Sequence, residues 1–429
     1  ILKNKVKRSQ PRFTRQLLQG FCVPLQPCGV RGLEGMRFIV GLFLGILLVG
    51  CKQQDAPPLD QQLYIWQRQW TPAHAEALTQ SRNGFSTLRV LALQNHPQAG
   101  WRRAQIDSAL LKADARPLIA VVRLDGQLRQ LDASETIKQI LQVAADWQAQ
   151  SLTLAGVEID HDAGTARLPA YRQFLQTLRN ALPVSLKLSI TALPAWLDSP
   201  QLPGLLAQVD SSVLQVHAVS DPKRGLFDPV QAKQWAERWS RATDKPFYLA
   251  LPAYGIAVLP GDGGAPLVES EVPIEQGGPR RELMADPQQL STLAAQLRHA
   301  PPAHLAGLIW FRLPLAGDRR AWSLTTLRAV AQGNPLRSGL ALNLSGNDGL
   351  YDIVLRNDGN LDSALPARLT LAATQCEAAD GLNGYALQQT PGQLEFSRLK
   401  DGRLPAGAQR TLGWARCTTI DQGGSHVFP

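Results

Sequence analysis

The stretch "SLTLAGVEIDHDAG", Ser151 to Gly164, begins as a run of small and apolar residues and ends on Glu158, Asp160 and Asp162, spaced by two. A strand turns alternate side chains to opposite faces, so the three carboxylates share one face while Val157, Ile159 and His161 take the other. At a rise of ~3.3 Å per residue, neighbouring acids sit ~6.5 Å apart. A solvated strand edge would scatter its acids and mix lysine among them. Carboxylates crowded at the end of a buried strand raise one another's pKa values, which keeps a proton donor protonated near neutral pH.

Seven further segments of strand character flank this one: "LYIWQRQW" (63–70), "FSTLRVLAL" (85–93), "RPLIAVVRLDG" (116–126), "SLKLSITALP" (185–194), "SSVLQVHAV" (211–219), "PFYLALPAYG" (246–255) and "LAGLIWFRLP" (305–314). Near-continuous apolar runs suit parallel strands covered on both faces. Helical spacing fills the gaps. Ile137, Ile140, Leu141, Ala144 and Trp147 form one stripe, with Ser134 as the expected N-cap. Leu168, Tyr171, Phe174, Leu175 and Leu178 form another, and Asp228-Pro229 opens a third helix with a cap and a proline at its first position. Further helices are expected at 286–299 and 321–332. Eight alternations predict an α/β chain folded as a (β/α)8 TIM-like barrel over 63–335, with the acids on the fourth strand, at the face where such barrels place their sites. An open doubly wound sheet is the alternative, but no glycine-rich phosphate fingerprint follows the first strand. Residues 337–429 change character, with short strands between "GNDG", "RNDGN", "ADGLNG" and "KDG", and read as an appended β-sandwich.

The segment before the barrel carries its own signals. "MRFIVGLFLGILLVGC", Met36 to Cys51, has a basic start, an apolar run too short to span a bilayer comfortably, and a Leu-Val-Gly-Cys end. It resembles a lipoprotein signal peptide (36–50), with Cys51 lipidated, a linker over 51–62, and Met36 as the expected start, residues 1–35 being an upstream extension. Setting residues 1–50 aside removes eight Lys/Arg and one Glu and lowers the formal charge from +9 to +2. The basic balance is thus largely a property of the leader and does not argue for nucleic-acid binding. Cys376 and Cys417 then remain as an even pair, and a disulfide is expected in an oxidising compartment; two free buried thiols are the alternative. No zinc spacing is present, and neither metal nor cofactor is implied.

"AGVEIDHD" resembles the Asp-Gly-x-Asp-x-Asp-x-Glu motif on the fourth strand of chitinase-like glycoside hydrolases of family 18. Aligned at Gly156, Glu158 and Asp160 match that family's two inner acids, and Asp162 falls where its proton-donating Glu stands. "LALPAYG" (249–255) is similar to the family's seventh strand and "GLIWFRLP" (307–314) to its eighth, whose Trp floors the sugar site; "LSITALP" (188–194) is similar to the fifth. The likeness spans much of 63–332, and the whole chain resembles bacterial lipoproteins grouped as domain of unknown function 3142. Two departures stand out. The family's leading Asp is Ala155 here, and its sixth-strand Tyr-Asp pair is absent, with Gln215 and His217 in that neighbourhood.

The resemblance implies an envelope lipoprotein that hydrolyses or remodels a polysaccharide through Glu158, Asp160 and Asp162. Glu158 or Asp162 would donate the proton and Asp160 would stabilise the developing charge. Trp310, Tyr254, Trp66, Gln215, His217 and Arg123 are the candidate substrate contacts. The alternative is a carbohydrate-binding barrel without acid/base chemistry, favoured by the shortened acid and the missing tyrosine; a structural envelope lipoprotein is a third reading. Gln67, Arg68 and Arg123 lie at or near strand ends, and an arginine in a buried strand calls for an inward carboxylate. The expected partners are a glycan and a membrane, through the lipid anchor on the periplasmic side of the outer membrane. The glycine- and proline-rich stretch 255–283 reads as a long loop, of a length usual for lids, binding loops or disordered segments.

Overall fold

The computed structural model describes residues 58–128, 131–216, 225–260, 267–269 and 280–428. The segment expected to be a leader, Cys51 as the expected lipidation position, and His217 lie outside the described residues.

Eight parallel strands form the barrel: β1 Asp60–Ile65, β2 Thr87–His96, β3 Leu118–Leu124, β4 Leu154–His161, β5 Lys187–Ala192, β6 Ser211–Gln215, β7 Phe247–Pro252 and β8 Leu305–Phe311. Each pairs with its neighbours in sequence, and β1 pairs with both β2 and β8, so the sheet closes with Leu63 opposite Leu88 on one side and Trp310 on the other. A helix follows every strand: α1 Ala73–Ser81, α2 Ser108–Asp114, α3 Ala133–Ala149, α4 Leu168–Ala181, α5 Leu202–Leu206, α6 Pro229–Ser240, α7 Pro287–His299 and α8 Leu324–Gln332. The expected (β/α)8 order is therefore present.

Alternation along the strands sorts the core into two parts. Outward residues such as Leu63, Val90, Val122, Ile159, Ile190, Leu249 and Trp310 pack in the large cluster shared with the helices. Tyr64, Trp66, Leu91, Val121, Val213, Ala250 and Ile309 form a separate cluster that fills the lumen. On α4 the buried residues are Leu168, Tyr171, Phe174, Leu175 and Leu178, one stripe at helical spacing that covers the outside of the barrel. Asp228 caps α6, accepting from the backbone N–H groups of Val230 and Gln231. The cap of α3 is Asp132, not Ser134: its carboxylate accepts from Glu135 N, three residues on, and Ser134 already lies within the helix.

The stretch expected as a loop after β7 carries structure of its own. Gly255–Leu259 pairs antiparallel with Leu267–Glu269 on one side and with Arg281–Met284 on the other, so a small three-stranded sheet rises from the strand end.

The C-terminal region is antiparallel: β9 Leu340–Asn347, β10 Leu350–Asn357, β11 Arg368–Gly381, β12 Tyr385–Thr390, β13 Gln393–Arg398 and β14 Gln409–Phe428. Hydrogen bonding is continuous across the order β9-β10-β14-β11-β13-β12, with Ser363–Ala364 and Arg403–Leu404 as a separate two-stranded ribbon. One core of its own includes Ile353, Leu355, Leu369, Phe396 and Leu412. In the β9–β10 hairpin, Asp348 and Gly349 both have positive φ (51° and 81°), the backbone a two-residue turn matched to strand twist requires. Cys376 and Cys417 face each other on β11 and β14 and are joined by a disulfide.

Asp362 fastens this sheet to the barrel. Its carboxylate accepts from Ser323 N (2.7 Å) and Thr326 Oγ1 (3.0 Å) at the start of α8 and from Ala406 N (2.9 Å) in the C-terminal domain. A carboxylate at a helix N-terminus satisfies free backbone donors and meets the positive end of the helix dipole.

Candidate functional site

Two polar layers lie inside the barrel, one deep and one at the C-terminal strand ends. The deep layer centres on Glu158, which has no exposed surface. Tyr64 donates its hydroxyl to Glu158 Oε1 at 2.6 Å, and Arg89 Nη1 donates to Oε2. Arg89 is itself held by Gln62 Oε1 (2.8 Å) and Ser189 Oγ (3.3 Å), and its guanidinium lies over the Tyr248 ring. Burial pushes the Glu158 carboxyl up, with Arg89 and the Tyr64 hydroxyl holding it back. Burial, reinforced by the Glu158 charge, also pushes the Tyr64 hydroxyl well above its ordinary range. A buried ion whose oxygens are all engaged by the protein is suited to holding strands together.

The upper layer centres on Asp160. Thr191 Oγ1 donates to its Oδ1 at 2.6 Å, Gln215 Nε2 donates to the same oxygen at 3.2 Å, and Arg123 Nη1 donates to Oδ2. The other end nitrogen of Arg123, Nη2, donates to Asp162 Oδ2 at 2.8 Å. The guanidinium also lies 6.0 Å from the Trp66 ring centre. The Asp160 charge, with a smaller contribution from Asp162, pushes the Arg123 guanidinium above its ordinary pKa, against the effect of burial.

β4 ends at His161, and Asp162 is placed by its surroundings rather than by the strand. His161 Nδ1 lies 3.0 Å from Leu124 O, tying the ends of β3 and β4 together. Trp196, fully buried, donates Nε1 to Ala163 O at 2.8 Å. Gly126 is needed beside this turn, because a Cβ there would come within 2.6 Å of Asp162 O. Asp162 remains about one-third exposed (35%), the only member of the trio open to solvent. Partial burial, then the nearby Asp160 charge, pushes its carboxyl up, against the pull of Arg123.

Aromatic rings border this layer. Trp66 follows β1, Phe311 ends β8 and Tyr254 follows β7; Phe311 lies 5.1 Å from Trp66 and 5.4 Å from Tyr254, centre to centre. Phe311 and Tyr254 are half-buried and Trp66 nearly buried. Trp310 does not belong to the site. It points outward, fully buried against Trp322, with Nε1 donating to Gln61 Oε1 at 2.8 Å. Ile309 and Phe311 are the residues β8 turns inward, so Trp310 does not take the lumen-facing position expected of it, and Phe311 does.

The fold thus brings together Glu158, Asp160, Asp162, Arg123, Gln215, Trp66 and Tyr254, and leaves Trp310 out. Sequence reasoning missed Arg89, Tyr64, Thr191 and Gln94. Arg89 had a readable signal: a lone charge inside the apolar run "FSTLRVLAL" requires a buried counter-charge. Arg68 is exposed, and its Nε donates to Gln94 Oε1 at 2.7 Å. Two open grooves of about 470 and 520 Å³ lie elsewhere, one between Arg103, Ile106 and Trp147 and one between α6 and α7, and neither is lined by a carboxylate of the trio.

With this geometry defined, the chain can be set beside known proteins. Residues 114–316 match the model of a domain of unknown function (DUF3142), and residues 340–418 match a second domain of unknown function (DUF8456). No curated protein sequence matches the chain. Among solved structures, the chain is similar to the spore cortex-lytic enzyme SleL of Bacillus cereus, at 13% identity over 64% of this chain and 74% of that one, TM-score 0.48. A chitinase from Chromobacterium violaceum matches at 14% identity over 64% and 98%, TM-score 0.44. A chitinase from Bacteroides thetaiotaomicron matches at 11% over 64% and 97%, TM-score 0.48. These are likenesses of fold; the closed barrel itself is established by the strand pairing of this chain.

Proposed function

We propose that this protein binds a glycan at the C-terminal mouth of its barrel and holds it without hydrolysis. Arg123 carries this reading. One guanidinium engages both Asp160 and Asp162, while Arg89 engages Glu158, so each carboxylate of the trio already has a cationic partner. A proton donor for a glycosidic oxygen must be within reach of that oxygen and protonated before transfer. A guanidinium hydrogen-bonded to the exposed acid favours its charged form and occupies an oxygen that would face the substrate. Phe311 and Tyr254 supply rings on which a sugar face stacks, beside the polar groups of Arg123, Asp162 and Gln215.

One observation favours hydrolysis as the second reading: the Asp162 carboxyl is pushed up despite Arg123. In that case Asp162 is the proton donor and Asp160 the stabilising charge. Glycan-array binding and reducing-end release, measured on the same preparation, separate the two readings. Retention without release supports binding. Release that disappears in Asp162→Asn supports hydrolysis.

The lipoprotein-like segment ending at Cys51 belongs with this proposal. A diacylated cysteine tethers the barrel to the periplasmic face of the outer membrane, where envelope polysaccharide is within reach, and Lys52 rather than Asp after the cysteine fits that sorting. Palmitate labelling of wild type but not of Cys51→Ala is the expected result, and equal labelling of both contradicts it.

A further inference from the structure

Gln94 is the inward residue of β2 at the level of the upper polar layer. It pairs in register with Arg123, which pairs with Asp160. The orientation of its amide is fixed by chemistry: Arg68 Nε donates at 2.7 Å, an arginine has no acceptor to offer, and so the oxygen must face Arg68. The NH2 group is left facing the other way. Gln94 is only 3% exposed, yet its Nε2 has no hydrogen-bond partner among the described residues. Asp160, across β3 at the same level, already accepts from Thr191 and Gln215 on one oxygen and from Arg123 on the other. The β2–β3 side of the mouth therefore carries a donor in excess. Buried donors in folded proteins are almost always satisfied, and an exception calls for a ligand or a water.

We propose that Gln94 is a ligand-contacting, specificity-determining residue of this mouth. Its Nε2 donates to an acceptor oxygen of the bound saccharide (a hydroxyl, carbonyl or carboxylate oxygen). This rests on the glycan-binding reading and adds to it the direction of one hydrogen bond. The bound sugar must present an acceptor, and a sugar lacking oxygen at that position is discriminated against because the donor then stays buried and unpaired.

The test uses the full-length protein and two variants. Gln94→Glu is nearly isosteric and keeps an acceptor for Arg68, but replaces the donor by an acceptor. Gln94→Met removes both polar ends. On the glycan that an array shows wild type to retain best, Gln94→Glu is expected to bind about tenfold more weakly, the loss of one hydrogen bond, without a lower Tm. Affinity within twofold of wild type overturns the inference. Gln94→Met is expected to melt above wild type, because an unpaired buried donor has been removed. A Gln94→Met protein that melts no higher overturns the inference whether or not a glycan has been found, since the donor then already has a partner. Wild type that retains no glycan on the array refutes the binding reading and with it the ligand contact. Parallel neutral, N-acetylated and uronic glycans on the same array identify which acceptor oxygen Gln94 reads: only that class loses affinity in Gln94→Glu.

Discussion

Arg123 Nη2 and Asp162 Oδ2 lie 2.8 Å apart, and through this contact the loop after β4 is tied to the end of β3. The same guanidinium reaches the fully buried Asp160, so one side chain on β3 engages both the last inward carboxylate of β4 and the one in the loop beyond it.

Replacing Arg123 by Gln tests that arrangement. Asp160 would keep Thr191 and Gln215 but lose its counter-charge inside the barrel. Breaking a buried pair by removing one partner costs about 3–5 kcal/mol, and because the Arg123 side chain is 29% exposed the lower end, about 3 kcal/mol, is expected from urea unfolding at neutral pH. The Asp162 carboxyl should titrate higher in this variant, followed by carbon-detected NMR. An unchanged Asp162 titration would show that Arg123 does not set its charge.

Asp162 also makes stability depend on pH. Its folded-state pKa is raised above the ordinary aspartate value, with burial as the first cause. Ionisation is therefore harder in the folded than in the unfolded chain. The resulting penalty is fully present above the folded pKa and is relieved as pH falls through it toward the unfolded value. Subtracting the Asp162→Asn profile from wild type should leave a contribution that grows on acidification through that window. A difference that shrinks on acidification would reverse the assigned sign.

Phe311 and Trp310 are adjacent on β8 but have opposite assignments. Phe311→Leu should weaken glycan binding roughly two- to tenfold through lost ring stacking, with a modest effect on unfolding. Trp310→Leu should leave binding within twofold and lower stability by about 2–4 kcal/mol, because it opens space among β8, Trp322 and Gln61. Isothermal titration and urea unfolding on both variants check the pair.

Asp362→Ala removes the acceptor that joins the start of α8 to the C-terminal sheet. A lost cap alone costs about 1 kcal/mol, and the buried donors left behind add to it. Calorimetry should show the single transition broadening or splitting as the sheet uncouples from the barrel. A wild-type-like trace would mean that other contacts hold the joint.

The barrel was legible in the sequence because each strand is a short apolar run covered on both sides and each helix has one stripe, as in Leu168 to Leu178. The acids of β4 were legible for the same reason: strict alternation leaves Glu158 and Asp160 no face but the lumen. Trp310 was misplaced because a motif likeness fixes the neighbourhood but not the parity, and a one-residue shift on a strand moves a side chain through the sheet. Arg89 went unpaired in the reading because its carboxylate lies 69 residues later in the chain, on a strand that only closure of the sheet brings near. Ser134 lost the cap to Asp132 because both residues suit the role and only the helix start decides between them. The site's polar bookkeeping, with Gln94 held by Arg68, depends on side-chain directions at one level of the barrel, which no spacing rule supplies.

The decisive measurement is reducing-end release by wild-type protein from the glycan it retains best, beside Asp162→Asn. With Arg123 holding both upper carboxylates, wild type should retain the glycan and release no more reducing ends than the variant or buffer. Release by wild type that falls to background in Asp162→Asn would contradict this and make the barrel a hydrolase.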